Sequence, residues 1–352
     1  MTSLRPLNRR RRLSRLALPV GALLLALPLA ACGSESDSEE TAGDAPAEET
    51  FEPVTIDHAF GSTEIDEEPE RVATWGWGSG DAALALGVVP VAMPEYSYGA
   101  DEAGRMPWQT EALEELGGEE PALLSETAEP PFEEIAEAAP DLILANYSGI
   151  TEADYEKLSK IAPTVAYPDQ PWATPWREVI TTVGEALGKA DEAEQVLADI
   201  DAEVAAAAEE HPEFEGKTIA AVAVDPSAFY VYRGADPRVE FLEDLGFTLA
   251  PSVDELDTEE TTFYYTVSTE EVDKLGSDVL VSYSPTEEAA AEVDKSAAAK
   301  AMQQFQDGTV ARVVGESLVS SVSPPTALSL TWGLDDFVEA LVPAVEKADA
   351  AG

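Results

Sequence analysis

The feature that most constrains this chain lies in its middle. From Pro175 to Glu210 no strand-like run occurs, and Val179, Val183 and Leu187, then Val196, Ile200 and Val204, recur at spacings of three and four. That period predicts a long helix with one apolar face, and Gly188 is the point where it could break. On either side, short apolar runs alternate with short helical ones. Val54 to Phe60, Arg71 to Trp75, Val88 to Met93 and Asp141 to Ala145 read as strands before the helix; Lys217 to Val224, Val279 to Tyr283 and Val310 to Gly315 read as strands after it. Continuous aliphatic runs such as Leu142 to Ala145 are what a parallel sheet covered on both faces requires. Each half therefore reads as α/β. A gapless internal match supports two equivalent halves: Glu133-Glu134-Ile135 followed by Asp141 and three aliphatics lies over Glu270-Glu271-Val272 followed by Asp278 and three aliphatics. Tyr147 and Tyr283 follow closely in each.

The N-terminus is an address label. Arginines crowd residues 4 to 15, Leu16 to Leu29 is apolar, and Leu29-Ala30-Ala31-Cys32 ends the run with small residues. About 14 apolar residues are too few to cross a bilayer, which needs about 20, so residues 1–31 read as a signal peptide. Arg10-Arg11 weakly suggests a twin-arginine export signal. The segment resembles the lipobox of bacterial lipoproteins, with the chain's single cysteine, Cys32, where lipidation would occur. Residues 33–50 contain seven acids and no base, so residues 32–51 are expected to form a flexible acidic tether. The expected divisions after that are an N-terminal lobe at 52–174, the linker helix at 175–211 and a C-terminal lobe at 212–352.

Charge and composition remove whole classes of function. The chain carries 70 acids against 20 bases, a net charge of −50; losing the six arginines of the signal sharpens this to −56. Such a surface repels phosphate, which argues against nucleic acid as a partner. Two histidines, His58 and His211, leave little scope for a metal site, and neither HExxH nor GxSxG is present. Gly76-x-Gly78-x-Gly80 follows a strand, but the position of the third fingerprint glycine is Asp81, an acid that would repel a pyrophosphate. Asp81 instead suits the positive end of a helix. No converging acid, base or nucleophile stands out, so the chain is not read as an enzyme.

Large aromatics gather where strands end: Trp75, Trp77, Tyr96, Tyr98, Trp108, Tyr147, Trp172 and Trp176 in the first half, Tyr230, Tyr232, Tyr264, Tyr265, Tyr283 and Trp332 in the second. Ligands bind beyond the carboxyl ends of parallel strands, so both halves can line one cleft. Here the chain resembles a known family. PERVATWGWGSGDAALALGVVPVAM (69–93), PPFEEIAEAAPDLILANYSG (130–149), LSKIAPTVAY (158–167), WREVITTVGEALGKADEAEQVL (176–197) and STEEVDKLGSDVLVSY (268–283) are similar to the iron-siderophore solute-binding lipoproteins of ABC importers, class III periplasmic binding proteins. The resemblance implies two Rossmann-like lobes joined by a single long helix, a ligand cleft between them with little hinge closure, and no cofactor, the iron being held by the siderophore. It also implies a lipid-anchored monomer on the outer face of the cell membrane, partnered by a permease and its ATPase. Glu133 and Glu270, in the first helical turns of the matching units, correspond to the permease-docking glutamates. Ser268 with Glu271 reads as a capping box.

Charge narrows the ligand. Three catecholates leave ferric iron with excess negative charge, three hydroxamates leave it neutral, and a free amine makes it cationic. Burying an anion needs several desolvated bases, and the chain beyond the signal has 14, of which only Arg105, Arg177 and Arg233 fall in plausible cleft loops. A ferric hydroxamate is therefore expected, with Trp77, Tyr98, Tyr147, Trp172, Arg233 and Tyr265 as wall residues and Trp176 packed at the start of the linker. Ser125-Glu126 stands where a hydroxamate-binding arginine would be expected by resemblance. Haem and cobalamin are the alternative ligands, and a secreted enzyme or sensor lipoprotein the alternative functions.

Overall fold

The aliphatic runs condense into two separate sheets. A computed structural model describes residues 51–224, 229–258, 261 and 263–351, all within one compact unit, Thr50–Gly352. The expected signal peptide, Cys32 and all of the tether but Phe51 lie outside the described residues. An antiparallel hairpin, β1 (Val54–His58) and β2 (Gly61–Ile65), precedes the first sheet. That sheet contains β3 (Val72–Thr74), β4 (Ala92–Pro94), β5 (Ala122–Leu124), β6 (Leu142–Ala145) and β7 (Thr164–Ala166), all parallel, in the order β5-β4-β3-β6-β7. The second contains β8 (Thr218–Val224), β9 (Phe229–Tyr232), β10 (Thr248–Leu249), β11 (Tyr264–Val267), β12 (Val279–Ser284) and β13 (Val310–Val314). Its order is β11-β9-β8-β12-β13 with β10 beside the start of β8, and β9 alone runs antiparallel to its neighbours.

Strand alternation sorts the aliphatics into three clusters. Leu142 and Leu144 of β6 and Val279 and Val281 of β12 face one large core that also takes Ile180, Val183, Ile200 and Val204 of the linker. Ile143 and Ala145 face a smaller cluster on the other side of the first sheet, and Leu280 faces another behind the second. The halves thus share apolar surface through the linker. Burying that surface is worth about 25 cal/mol per Å².

The linker is two helices. Trp176–Ala186 packs on the helix Ser79–Ala85 of the first half, and the 21-residue helix Ala190–Glu210 packs on the C-terminal helix Ser329–Ala351. The break falls at Gly188, which takes a positive φ of 68°. Phe51, assigned to the tether, instead packs against this turn and the shared core.

The internal match has a structural counterpart. Asp141 accepts backbone N–H bonds from Glu70 and Arg71 at 2.9 Å, just before β3, and Asp278 accepts one from Thr218 at 2.8 Å, at the start of β8. In each half one carboxylate pins two neighbouring parallel strands. Ile135 and Val272, equivalent in the match, are both fully buried.

Candidate ligand-binding cleft

The glycines after β3 explain themselves through backbone geometry. Gly76 has φ 96°, and a Cβ there would collide with the carbonyl oxygen of Tyr147. The close approach lets Trp77 N–H donate to that same oxygen at 3.0 Å, which seats the β3 loop against the β6 loop. Gly78, with φ 79°, caps the helix Ser79–Ala85. The glycines at 76 and 78 thus meet steric requirements of this loop.

These loops open a cavity of about 410 Å³. Its walls come from the first half through Trp75, Trp77, Tyr96, Tyr98, Glu95, Glu126 and Trp172, and from the second half through Ser320, Ser323 and Pro324. Trp77 spans the two, donating its indole N–H to the Pro324 carbonyl at 3.0 Å and meeting Tyr96 edge-on at 5.2 Å. Tyr98 and Trp172 are 42% and 41% exposed and are two of the three large exposed hydrophobic residues among those described. Such exposure costs free energy unless a ligand covers it. Trp172 also has positive φ, 58°, and its indole lies on Gly149, where a Cβ would clash. A second, open hollow of about 700 Å³ lies on the far side of Trp172, lined by Asp169, Glu178, Arg233, Pro237 and Phe263 among others.

Trp77, Tyr98 and Trp172 thus share the main cavity. Tyr147 is 7% exposed and sits behind it, edge-on to Trp172 at 5.8 Å, with burial pushing its phenol up to about 12. Arg233 faces the second hollow, where Asp257 pairs with it at 2.7 Å and the Thr261 carbonyl accepts from it at 2.7 Å. Tyr265 is a correction: it is fully buried in the cluster behind the second sheet, its hydroxyl donating to the Val253 carbonyl at 2.7 Å, so it forms no cleft wall. Trp176 is a packing residue, 2% exposed.

Two further groups lie behind the cavity, and the first of them joins the halves. The buried Asp81 carboxylate accepts from Trp108 Nε1 at 2.7 Å and Gln109 Nε2 at 2.6 Å, and from the Thr326 hydroxyl of the other half. Burial raises its pKa against the pull of those donors. Arg238 is held by Asp236 through two contacts at 2.8 and 3.0 Å, stacks over Tyr232 at 4.4 Å and donates to Ser323 Oγ at 2.6 Å. Burial works against its charge, and Asp236 outweighs that effect. Nothing local distinguishes Arg238 in the sequence; its partner Asp236 does carry a helix-start signal, ahead of Pro237.

Glu133 and Glu270 are exposed and make no hydrogen bond or ion pair among the described residues. Glu133 lies in the first turn of the helix Phe132–Glu137, whereas its neighbour Glu134 is held by Ser125 N and Oγ, both at 2.7 Å. Glu270 does not begin an α-helix: it lies in a turn before the short 3₁₀ segment Val272–Lys274. The expected capping box is absent as well, because Glu271 pairs with Lys274 at 2.7 Å and only grazes Ser268 Oγ at 3.4 Å. The histidines stay out of the cleft. His58 Nε2 meets Thr63 Oγ1 at 3.0 Å in the β1–β2 hairpin, and His211 meets Glu213 at 2.9 Å beyond the linker. No group of three potential metal ligands occurs among the described residues.

A profile of the periplasmic binding protein family matches residues 72–316, the stretch that builds both sheets and most of the cavity. The chain belongs to that family. It is 30% identical to a probable siderophore-binding lipoprotein, YfiY, of Bacillus subtilis over 64% of this chain, and 31% identical to the iron(3+)-hydroxamate-binding protein FhuD of the same organism over 60% of it. The matches span 65% and 61% of those relatives' own lengths, under two thirds in each case. Among solved structures, PiaA of Streptococcus pneumoniae TIGR4 in complex with ferrichrome superposes with a TM-score of 0.76 at 35% identity, covering 84% of this chain and 99% of that one. The family and the two-lobed α/β architecture expected from the sequence are both found.

Proposed function

We propose that this periplasmic binding protein captures a ferric siderophore of hydroxamate type in the aromatic cavity and delivers it to a membrane permease driven by an ATPase. The carrying observation is the cavity itself: Trp77, Tyr98 and Trp172 converge on it from three loops, and among the described residues no His, Lys or Arg lines it. Aromatic faces suit the apolar backbone of a neutral complex. An anionic tris-catecholate would find no cation to offset its desolvation. The similarity to YfiY, FhuD and ferrichrome-bound PiaA points the same way. A haem has no axial histidine in this cavity.

In this reading Cys32 is lipidated after removal of residues 1–31, and the tether holds a monomeric body at the outer membrane face. Glu133 and Glu270, unpaired and exposed, present one carboxylate from each half to permease arginines. The test is co-elution of radio-iron with the protein when supplied as a ferric trihydroxamate, followed by uptake in cells. Glu133→Arg with Glu270→Arg should retain iron binding and abolish uptake; unchanged uptake removes the docking role, and absence of co-elution removes the siderophore reading.

A further inference from the structure

The charge of the cavity wall departs from neutrality in a way the ligand must answer. Its two charged lining residues are both acids, Glu95 and Glu126. The Glu95 carboxylate lies over the backbone of Gly104 and makes no hydrogen bond or ion pair among the described residues. Glu126 accepts one bond, from the Ser97 backbone at 3.1 Å, and no cation meets it. At the rim a third carboxylate, Glu316, accepts from Gly99 N at 3.3 Å; burial raises the Tyr98 phenol, and the Glu316 charge adds to it.

No base pairs with either of them among the described residues. Arg238, which reaches the wall through Ser323, is matched by Asp236; Arg233 is matched by Asp257 in the other hollow; Arg177 is held by Asp201, Glu240 and Asp244; and Arg105 meets the exposed Glu120 at 3.5 Å, its buried Nε left without a partner. The undescribed residues of the body, 225–228, 259, 260, 262 and 352, contain no Lys or Arg. Carboxylates left unneutralised beside apolar walls are stabilised by an incoming cation, and the aromatic faces add a further attraction for it.

We propose that Glu95 and Glu126 make this cavity select a cationic ferric trihydroxamate, one bearing a free primary ammonium outside its iron-binding groups, over its neutral counterpart. The inference rests on the siderophore reading and goes beyond it. The neutral iron core lies on the aromatic faces, and the ammonium lies between the two carboxylates. The interaction is electrostatic at a half-open site, so it weakens as salt rises.

The experiment compares two ligands with the same iron coordination: ferrioxamine B, with its terminal ammonium, and the N-acetylated derivative. Wild-type protein at low salt should bind the ammonium form at least about tenfold more tightly, and the ratio should fall toward one as salt approaches about 1 M. In Glu95→Gln with Glu126→Gln the ratio should fall close to one at all salt concentrations, the N-acetyl complex measured on the same variant normalising any general loss of the cavity. Equal wild-type affinities, or a preference that survives in the double variant, overturn the proposal while leaving the siderophore reading standing. Binding of neither complex overturns both. Should the double variant fail to fold, the wild-type ratio and its salt dependence still decide.

Discussion

Replacing Asp81 by alanine tests whether the two halves are latched through a buried carboxylate. Three donors converge on it: Trp108 Nε1 and Gln109 Nε2 from the helix Pro107–Leu116 and Thr326 Oγ1 from the loop before Ser329–Ala351. Leaving a buried donor unsatisfied costs about 1–3 kcal/mol, so three of them cost about 6 kcal/mol at the middle of that range. Relief from burying a charge returns part of this, leaving an expected loss of about 3–4 kcal/mol. With an m-value of about 4 kcal/mol/M in urea for a body of this size, the midpoint should fall by about 1 M. Thr326→Val removes the bond to Asp81 together with the one Thr326 Oγ1 accepts from Ser329 N at 3.1 Å, and should cost about 1–3 kcal/mol. The sign with pH is also fixed. Because burial raises the Asp81 pKa above its ordinary 3.8, the folded state holds this proton more tightly than the unfolded chain. Its contribution is complete below 3.8 and declines as pH rises through the folded value. Asp81→Asn, uncharged throughout, should lose that slope. The assay is urea unfolding followed by tryptophan fluorescence across pH. A midpoint for Asp81→Ala within about 0.2 M of wild type, less than 1 kcal/mol, would refute the latch.

Other outcomes follow from the same geometry. Trp172→Ala removes an indole that is 41% exposed, so affinity for a ferric hydroxamate should fall by about tenfold or more with a stability change below about 1 kcal/mol, read by titration and thermal melting. Tyr265→Phe should do the reverse, costing about 1 kcal/mol of stability by orphaning the Val253 carbonyl and leaving affinity unchanged. His58, whose pKa is lowered mainly by burial, contributes stability that is complete above 6.5 and is lost as pH falls through its lowered folded value. The pH dependence of the urea midpoint should therefore flatten in His58→Gln. Gly76→Ala places a Cβ against the Tyr147 carbonyl at a positive φ and should lower the melting temperature and the affinity together.

The halves were legible because their strands are continuous aliphatic runs. Leu142 to Ala145 and Val279 to Tyr283 suit burial on both faces between parallel neighbours, and they form the interior strands β6 and β12. Gly188 was legible as a helix break because glycine reaches positive φ without strain. Tyr264 and Tyr265 were not separable, since two adjacent tyrosines do not reveal the phase of a strand; in β11 Tyr264 and Thr266 are half-buried, and the register against β9 sends Tyr265 and Val267 into the core. Arg233 read as a free base, yet Asp257, 24 positions away, pairs with it, a contact no local pattern encodes. The Ser268–Glu271 spacing promised a cap, but Lys274 was the stronger partner for Glu271. Glu126 was visible as the residue standing in for an expected arginine, but its place beside Glu95 on the cavity wall depends on the fold.

The central claim is that the aromatic cavity receives a ferric hydroxamate. Its most direct test is a quenching titration of intrinsic tryptophan fluorescence on the lipid-free body, with a ferric trihydroxamate and a ferric tris-catecholate run in parallel at equal concentrations. Saturable quenching by the trihydroxamate, lost in Trp172→Ala, with little response to the tris-catecholate, is the expected result. Quenching that ranks the tris-catecholate first would contradict it.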